Sequence, residues 1–216
     1  MITKAMILAA GFGKRIRPLT IKTPKPLLKI GEETLLSNSL KFLESYGVKQ
    51  VVINIHYLGD QIVDYINNSK FNLSINIVKE KNKILDTGGG VLNAIKYFSN
   101  EPFLIINPDT VWNSSYLKEL KVMENSFFEN KKNTCSLLVV HKKKSFDKLF
   151  KGDFDLQNNL ISRKEKNKLN YIYTGLQIIR PDVFSELDKG VFSINRIWDR
   201  LIQKEQLYGT ESNINF

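Results

Sequence analysis

Short apolar runs of β type alternate with longer stretches of helical spacing from residue 4 to residue 140, and this alternation limits the possible folds most tightly. KAMILAA (4–10) reads as a buried strand, as do VVINI (51–55), LSINIV (73–78), PFLIIN (102–107) and TCSLLVV (134–140). Between them, ETLLSNSLKFLESYG (33–47) carries apolar residues at helical spacing and stops at Gly47, with further helices predicted near 59–67, 90–98 and 115–130. Strand–helix alternation of this kind builds βαβ units, so the expected fold is α/β: a Rossmann-like, mostly parallel but mixed sheet flanked by helices. After residue 141 the pattern changes to short strands (FDLQ, LIS, IYTGLQII) joined by polar turns, a helix after Pro181 and another from Ser193 to Gln206. No linker, repeat or low-complexity tract interrupts the chain. The expectation is one domain over 1–216, with a core at about 1–141 and a smaller β/α extension at about 142–216.

Ligands of open α/β sheets bind at the carboxyl ends of the strands. Strand 1 ends in LAAGFGKRIRPLTIKTPKPLLKIG (8–31), where Gly11 and Gly13 permit close backbone approach to a phosphate. Lys14, Arg15 and Arg17 add cationic donors, and Lys25 follows after a Pro-rich turn. This is not a dinucleotide-binding G-x-G-x-x-G, because Ile16 holds the third glycine's position and Pro18 interrupts the helix that should begin. Nor is it a P-loop, because Arg15 follows Lys14 where Ser or Thr is required. The residues themselves spell a phosphate-binding loop of another kind.

LAAGFGKRIRPLT followed by TPKPL resembles the signature of the sugar-1-phosphate nucleotidylyltransferases, L-A-A-G-x-G-x-R-x-x-P-x-T with a downstream P-K-P. The resemblance implies a glycosyltransferase-A-like nucleotidyltransferase fold and extends over nearly the whole chain. It implies nucleotide binding by Ala10, Gly11, Gly13, Lys14, Arg15, Lys25 and Gly88, with Arg15 on the triphosphate and Lys25 near the reacting phosphorus. LDTGGGV (85–91) follows strand 3 and opens a helix, where three glycines and the helix dipole suit an anionic ligand. Asp86 there has two readings, a contact to the base or a carboxylate at a helix N-terminus.

INPDTVW (106–112) follows strand 4, and a carboxylate at that position is a reasonable ligand for a hard cation. Asp109 matches the family's metal-binding aspartate, which implies Mg²⁺ as cofactor; Pro108 stands where the family usually has Gly. Asn107, Asp153, Thr174 and Gly175 match the sugar side of the site, and Glu165 falls where the family often carries Glu-Lys-Pro. Arg15, Lys25 and Asp109 are thus the expected catalytic residues. LDTGGG, GDF and the short length are most similar to the N-acetylmuramate-1-phosphate uridylyltransferase branch, which implies UTP and a role in cell-wall sugar recycling. GTP with mannose-1-phosphate, or dTTP with glucose-1-phosphate, are the alternative pairs, and a non-catalytic nucleotide-sugar binding module is the alternative class.

The reaction so implied needs no nucleophilic triad, because the attacking phosphate oxygen is already anionic, so a chain with two histidines is no objection. His56 reads as structural and His141 as a surface residue. The family's second metal aspartate has no match before Phe216, which leaves three readings, an incomplete C-terminus, a metal held by one carboxylate or a lost activity, with Glu211 a poor substitute. A net charge of +10 suits anionic substrates, but the lysines are dispersed rather than striped with aromatics, so no nucleic-acid partner is expected. No apolar run approaches the ~20 residues of a membrane span, and the charges after Ala10 are misplaced for a signal peptide. The expectation is a cytoplasmic protein without a membrane partner. Its one cysteine, Cys135, reads as a buried inert thiol.

Overall fold

The computed structural model describes residues 1–163 and 169–216, so Glu165 lies outside the described residues. Strand β1 (Lys4–Leu8) is followed by a long loop and a minimal hairpin, β2 (Lys29–Ile30) and β3 (Glu33–Thr34). Then come α1 (Leu35–Tyr46), β4 (Gln50–Ile55), α2 (Gly59–Asn67), β5 (Ser74–Lys79), α3 (Asp86–Ala94), β6 (Phe103–Ile106), α4 (Ser115–Glu129) and β7 (Cys135–His141). The remainder supplies β8 (Asp155–Gln157), β9 (Leu160–Ser162), β10 (Tyr171–Ile179), α5 (Asn195–Gln203) and β11 (Leu207–Ser212). Helix α1 illustrates how local chemistry sets an element's limits. The Thr34 hydroxyl accepts from the Ser37 N–H at 2.9 Å, and Gly47, at φ 103°, closes the helix in a left-handed conformation.

Among the described residues, nine strands form one sheet in the order β5-β4-β1-β6-β10-β7-β11-β9-β8. Strands β5, β4, β1 and β6 are parallel, and β11 is parallel to β7; β10 runs antiparallel to both β6 and β7. The sheet is therefore mixed, as expected, but the extension's longest strand lies between two strands of the core. Apolar alternation cannot foretell that insertion, because it reports which face a residue takes and not which strand is its neighbour. The helix expected after Pro181 is a short 3-10 turn, Pro181–Phe184, and β2, β3 and β11 were not foreseen.

Both faces of the sheet are covered, which is why its central strands are mostly apolar, with a few buried polar residues such as Asn54 and Gln177. Ala5 and Ile7 of β1, with Val51 and Ile53 of β4, face a core made with α1, α2 and α4. Met6, Val52, Phe103 and Ile105 face the opposite core, made with α3 and α5. Cys135 is buried in that second core, and burial pushes its thiol pKa upward, against ionisation. At the chain's start, the nearly buried Glu124 of α4 accepts from the Tyr46 hydroxyl at 2.9 Å, the Lys121 ammonium at 2.8 Å and the Ile2 N–H. Burial raises the pKa of this carboxyl, but the hydrogen bonds from Lys121, Ile2 and Tyr46 outweigh it and leave it lowered. No helix among the described residues is long and apolar enough to cross a membrane.

Candidate active site

The carboxyl ends of β1, β4 and β6 open onto a cleft of about 700 Å³, within the range of small-molecule sites. Its walls bring together eight of the expected binding and catalytic residues: Ala10, Gly11, Gly13, Lys14, Arg15, Lys25, Asn107 and Asp109. Phe12, Asn54, Ile84, Asp86, Thr87 and Pro108 complete much of the lining.

The loop after β1 is held in shape by its own backbone. Gly13 takes φ 62°, and the fully buried Thr20 donates its hydroxyl to the Gly13 carbonyl at 2.8 Å. A Cβ on Gly13 would sit 2.8 Å from the Thr20 methyl, so no other residue fits there without displacement. A 3-10 turn over Lys14–Ile16 then turns the chain. Farther along, the Tyr57 hydroxyl donates to the Ile21 carbonyl at 3.0 Å and the Gln61 amide donates to the Lys22 carbonyl at 3.0 Å, fastening the loop to the start of α2. Gly11 has open space where a Cβ would stand. Phe12 packs against His56 and Tyr57, with ring centroids 5.7 and 5.5 Å away, and Lys14 lies 5.2 Å over the Phe12 ring. His56 itself contacts the Glu80 carbonyl through Nδ1 at 2.6 Å, the structural role expected of it.

Opposite this loop, Asp109 leaves the end of β6 on a turn tied from two sides. The Asn107 N–H donates to the Gly175 carbonyl at 2.8 Å, and the Thr110 hydroxyl donates to the Thr174 carbonyl at 2.7 Å. The Trp112 indole N–H donates to the Asn107 carbonyl at 3.0 Å. Gly175, at φ 95°, occupies an irregularity of β10, and a Cβ there would come within 3.0 Å of the Asn107 side chain. Thr174 and Gly175 thus lie beneath the cleft floor rather than on it. Asp153 is farther away: its carboxylate accepts from the Tyr173 N–H at 3.0 Å and does not line the cleft. Glu211, on β11, accepts from the Tyr171 hydroxyl at 3.3 Å and is likewise outside it.

Gly88 also stands off the cleft wall, and the run Gly88–Gly90 has protein against it. A Cβ on Gly88 would meet the Phe192 ring at 2.5 Å, one on Gly89 the Gly190 carbonyl at 2.1 Å, and one on Gly90 the Asn54 amide at 2.7 Å. Residues 190–194 lie across the first turn of α3, with the Gly89 N–H donating to the Phe192 carbonyl at 3.0 Å and the Ile194 N–H to the Thr87 hydroxyl at 2.9 Å. Asp86 and Thr87 are the residues of this segment that face the cleft. Asp86 adopts φ 61°, a region that Asp tolerates better than most residues, and its carboxylate accepts from the Thr87 N–H at 2.6 Å.

The charges are arranged unevenly. The Lys25 ammonium forms an ion pair with the Asp109 carboxylate across the cleft, and both remain partly exposed. Among the described residues, Lys14 and Arg15 have no carboxylate partner. Two unneutralised cations beside glycine-turn N–H groups suit a polyanionic ligand. Among the described residues no three His, Cys, Asp or Glu side chains gather into a metal-holding group.

A family profile described as nucleotidyl transferase matches residues 4–189, which contain every element of this cleft. The chain belongs to that family. It is 33% identical over 189 residues to the N-acetylmuramate alpha-1-phosphate uridylyltransferase of Neisseria meningitidis serogroup B, spanning 87% of this chain and 79% of that protein. A second N-acetylmuramate alpha-1-phosphate uridylyltransferase, from Caulobacter vibrioides, is 27% identical over 95% of this chain and 86% of its own length. In fold, the crystal structure of HddC from Yersinia pseudotuberculosis complexed with GMP-PN superposes with a TM-score of 0.76, covering 98% of this chain and 91% of that one at 24% identity. Within the family this chain is a sugar-1-phosphate nucleotidylyltransferase, a nucleotidyltransferase that moves a nucleotidyl group from a nucleoside triphosphate to a sugar-1-phosphate. The α/β mixed-sheet fold is the one its signature implied.

Proposed function

We propose that the protein joins UTP to N-acetylmuramate-1-phosphate, giving the UDP-sugar and pyrophosphate, in the cytoplasm, as part of the reuse of cell-wall sugar. The observation that carries the chemistry is the juxtaposition of Lys14 and Arg15, which have no carboxylate partner among the described residues, with the Lys25–Asp109 pair across one cleft. The choice of base and sugar is supported by the names of the two uridylyltransferases above.

In this reading the triphosphate lies along the Gly11–Arg15 turn, where Lys14 and Arg15 neutralise the β- and γ-phosphates. Lys25 holds the α-phosphate, and a phosphate oxygen of the sugar-1-phosphate attacks the α-phosphorus. One P–O bond forms as the bond to the β-phosphate oxygen breaks, and pyrophosphate leaves with that electron pair. The residues supply position and charge neutralisation rather than proton transfer. Asn107 contacts the nucleotide or sugar from the cleft floor, while Thr174 and Gly175 hold it there through the 2.7 and 2.8 Å bonds to Thr110 and Asn107.

A divalent cation fits the donor set. Mg²⁺ is commonly held by one or two carboxylates together with substrate phosphates, and Asp109 is a partly exposed carboxylate facing the cleft. When bound, the ion supplies charge neutralisation to the reacting phosphates. The chain is read as a single functional domain, because one sheet runs through the nucleotide side and the sugar side alike.

Pyrophosphate release across a matrix of UTP, GTP and dTTP against N-acetylmuramate-, mannose- and glucose-1-phosphate tests the assignment. The expected result is a clear preference for UTP with N-acetylmuramate-1-phosphate. Preference for another pair moves the protein to another branch of the family.

A further inference from the structure

The base side of the cleft rests on a buried polar pair, Asn54 and Glu80. Asn54 stands next to the end of β4 and Glu80 directly follows β5, and both are nearly inaccessible, with 2% and 3% of their surface exposed. One Glu80 oxygen, Oε1, accepts from Asn54 Nδ2 at 2.7 Å; the other, Oε2, accepts from the Leu85 N–H at 2.7 Å. Asn54 Oδ1 in turn accepts from the Ala9 N–H at 3.0 Å. A continuous line of three hydrogen bonds therefore runs from the root of the phosphate loop to the turn that presents Asp86 and Thr87. Gly90 gives this line its room, since a Cβ there would stand 2.7 Å from Asn54 and 2.9 Å from Glu80.

A buried carboxylate with two acceptor oxygens, each facing a single donor, is a poor device for stability, because an apolar pair could fill the same volume without desolvating a charge. It is a good device for fixing two backbone segments at one distance. We infer that Glu80 and Asn54 are positioning residues for nucleotide capture: they set the spacing between Ala9 and Leu85, and hence between the phosphate loop and the base-side turn. The inference rests on the nucleotidyltransferase reading of the cleft. It adds that the pair governs affinity for the nucleoside triphosphate and not for the sugar phosphate. Asn54 lines the cleft, but its Oδ1 and Nδ2 are both engaged within the protein, by the Ala9 N–H and by Glu80.

The donor and acceptor pattern supplies its own test. In Glu80→Gln, the new amide must face either Asn54 Nδ2 or the Leu85 N–H, donor against donor. In Asn54→Asp, the new oxygen faces Glu80 Oε1, acceptor against acceptor. The double variant carrying both changes restores every bond: Gln Nε2 donates to Asp Oδ2, Gln Oε1 accepts from the Leu85 N–H, and Asp Oδ1 accepts from the Ala9 N–H. UTP binding in the presence of Mg²⁺, the KM for each substrate, and the melting temperature are measured for wild type, both single variants and the double variant.

Each single variant is expected to weaken UTP binding and raise the UTP KM about tenfold, the loss that one unsatisfied buried group brings. The sugar-phosphate KM is expected to stay within twofold, and the double variant to return to within about threefold of wild type. Single variants that melt lower yet keep wild-type UTP affinity would show a structural role alone and overturn the inference. So would a double variant no better than the worse single one. Failure of the wild type to bind any of UTP, GTP or dTTP would instead overturn the nucleotide reading itself, and this inference with it.

Discussion

Two glycine-rich segments meet at this cleft, and they use glycine for opposite ends. In the loop after β1, Gly11 has empty space where a side chain would stand, and it lines the cleft. In the first turn of α3, Gly88, Gly89 and Gly90 are all buried, and each makes way for another part of the same protein. Gly11 leaves room for something to enter, whereas Gly88, Gly89 and Gly90 let the chain close on itself, as Gly13 does against Thr20. In the sequence both occur as glycines following a strand, and both match the family signature, so composition does not separate them.

The contrast is broken most severely at the charged edge of the open loop. Replacing Arg15 or Lys25 by alanine is expected to lower kcat/KM about 10²–10³-fold, the usual loss when one preorganised charge is removed from an acyl- or phosphoryl-transfer site. Steady-state pyrophosphate release measures this, and a melting temperature near wild type separates it from misfolding. The second prediction concerns the closed segment. Gly89→Ala puts a methyl group 2.1 Å from the Gly190 carbonyl and is expected to cost about 1–3 kcal/mol in urea unfolding. Gly11→Ala is expected to change stability by less than about 0.5 kcal/mol while weakening nucleotide binding. If the two alanine variants unfold alike, the distinction between the segments is lost.

Much of the open loop was legible because its chemistry is local: glycines, cations and prolines stand within a few residues of one another. The ion pair between Lys25 and Asp109 joins positions 84 residues apart, and only the sheet order brings them together. Asn54 and Glu80 did leave a signal, a polar residue inside VVINI and a carboxylate directly after a strand. That signal is weak, because many strands carry polar residues on a solvated face. Phe12 left none, since its position in the signature accepts any residue. The insertion of β10 was hidden for a different reason: side-chain alternation is the same whether a strand sits at an edge or between two others.

Two smaller effects sharpen the picture around the cleft. Glu124, far from both glycine segments in the sequence, gauges how the scaffold alone responds to acid. Its carboxyl pKa is lowered in the folded protein, so its stabilisation is present above the ordinary carboxylate range near 4.5 and is lost as pH falls through the lower folded value. Glu124→Gln is therefore expected to lose about 1–2 kcal/mol at pH 7 and to show a shallower acid limb in denaturation between pH 5 and 3. The smallest effect concerns the Lys25–Asp109 pair. In the absence of nucleotide, Lys25→Met is expected to tighten Mn²⁺ binding about two- to fivefold, because the ammonium no longer competes for a partly exposed carboxylate. Electron paramagnetic resonance titration of free Mn²⁺ measures it, and weaker binding in that variant would count against Asp109 as the cation's ligand.

The place of β10 between β6 and β7 has a consequence for how the chain is made. As the polypeptide leaves the ribosome, β7 is complete at His141, but neither of its sheet neighbours yet exists. Ile179, the last residue of β10, emerges 38 residues after His141, a delay of about 2–8 s at ordinary rates of synthesis. Until then the Asn107 N–H lacks the Gly175 carbonyl, so the floor beneath Asp109 is unfinished although every residue lining the cleft has already been translated. The nascent chain thus carries a complete list of cleft residues for several seconds before it carries a cleft.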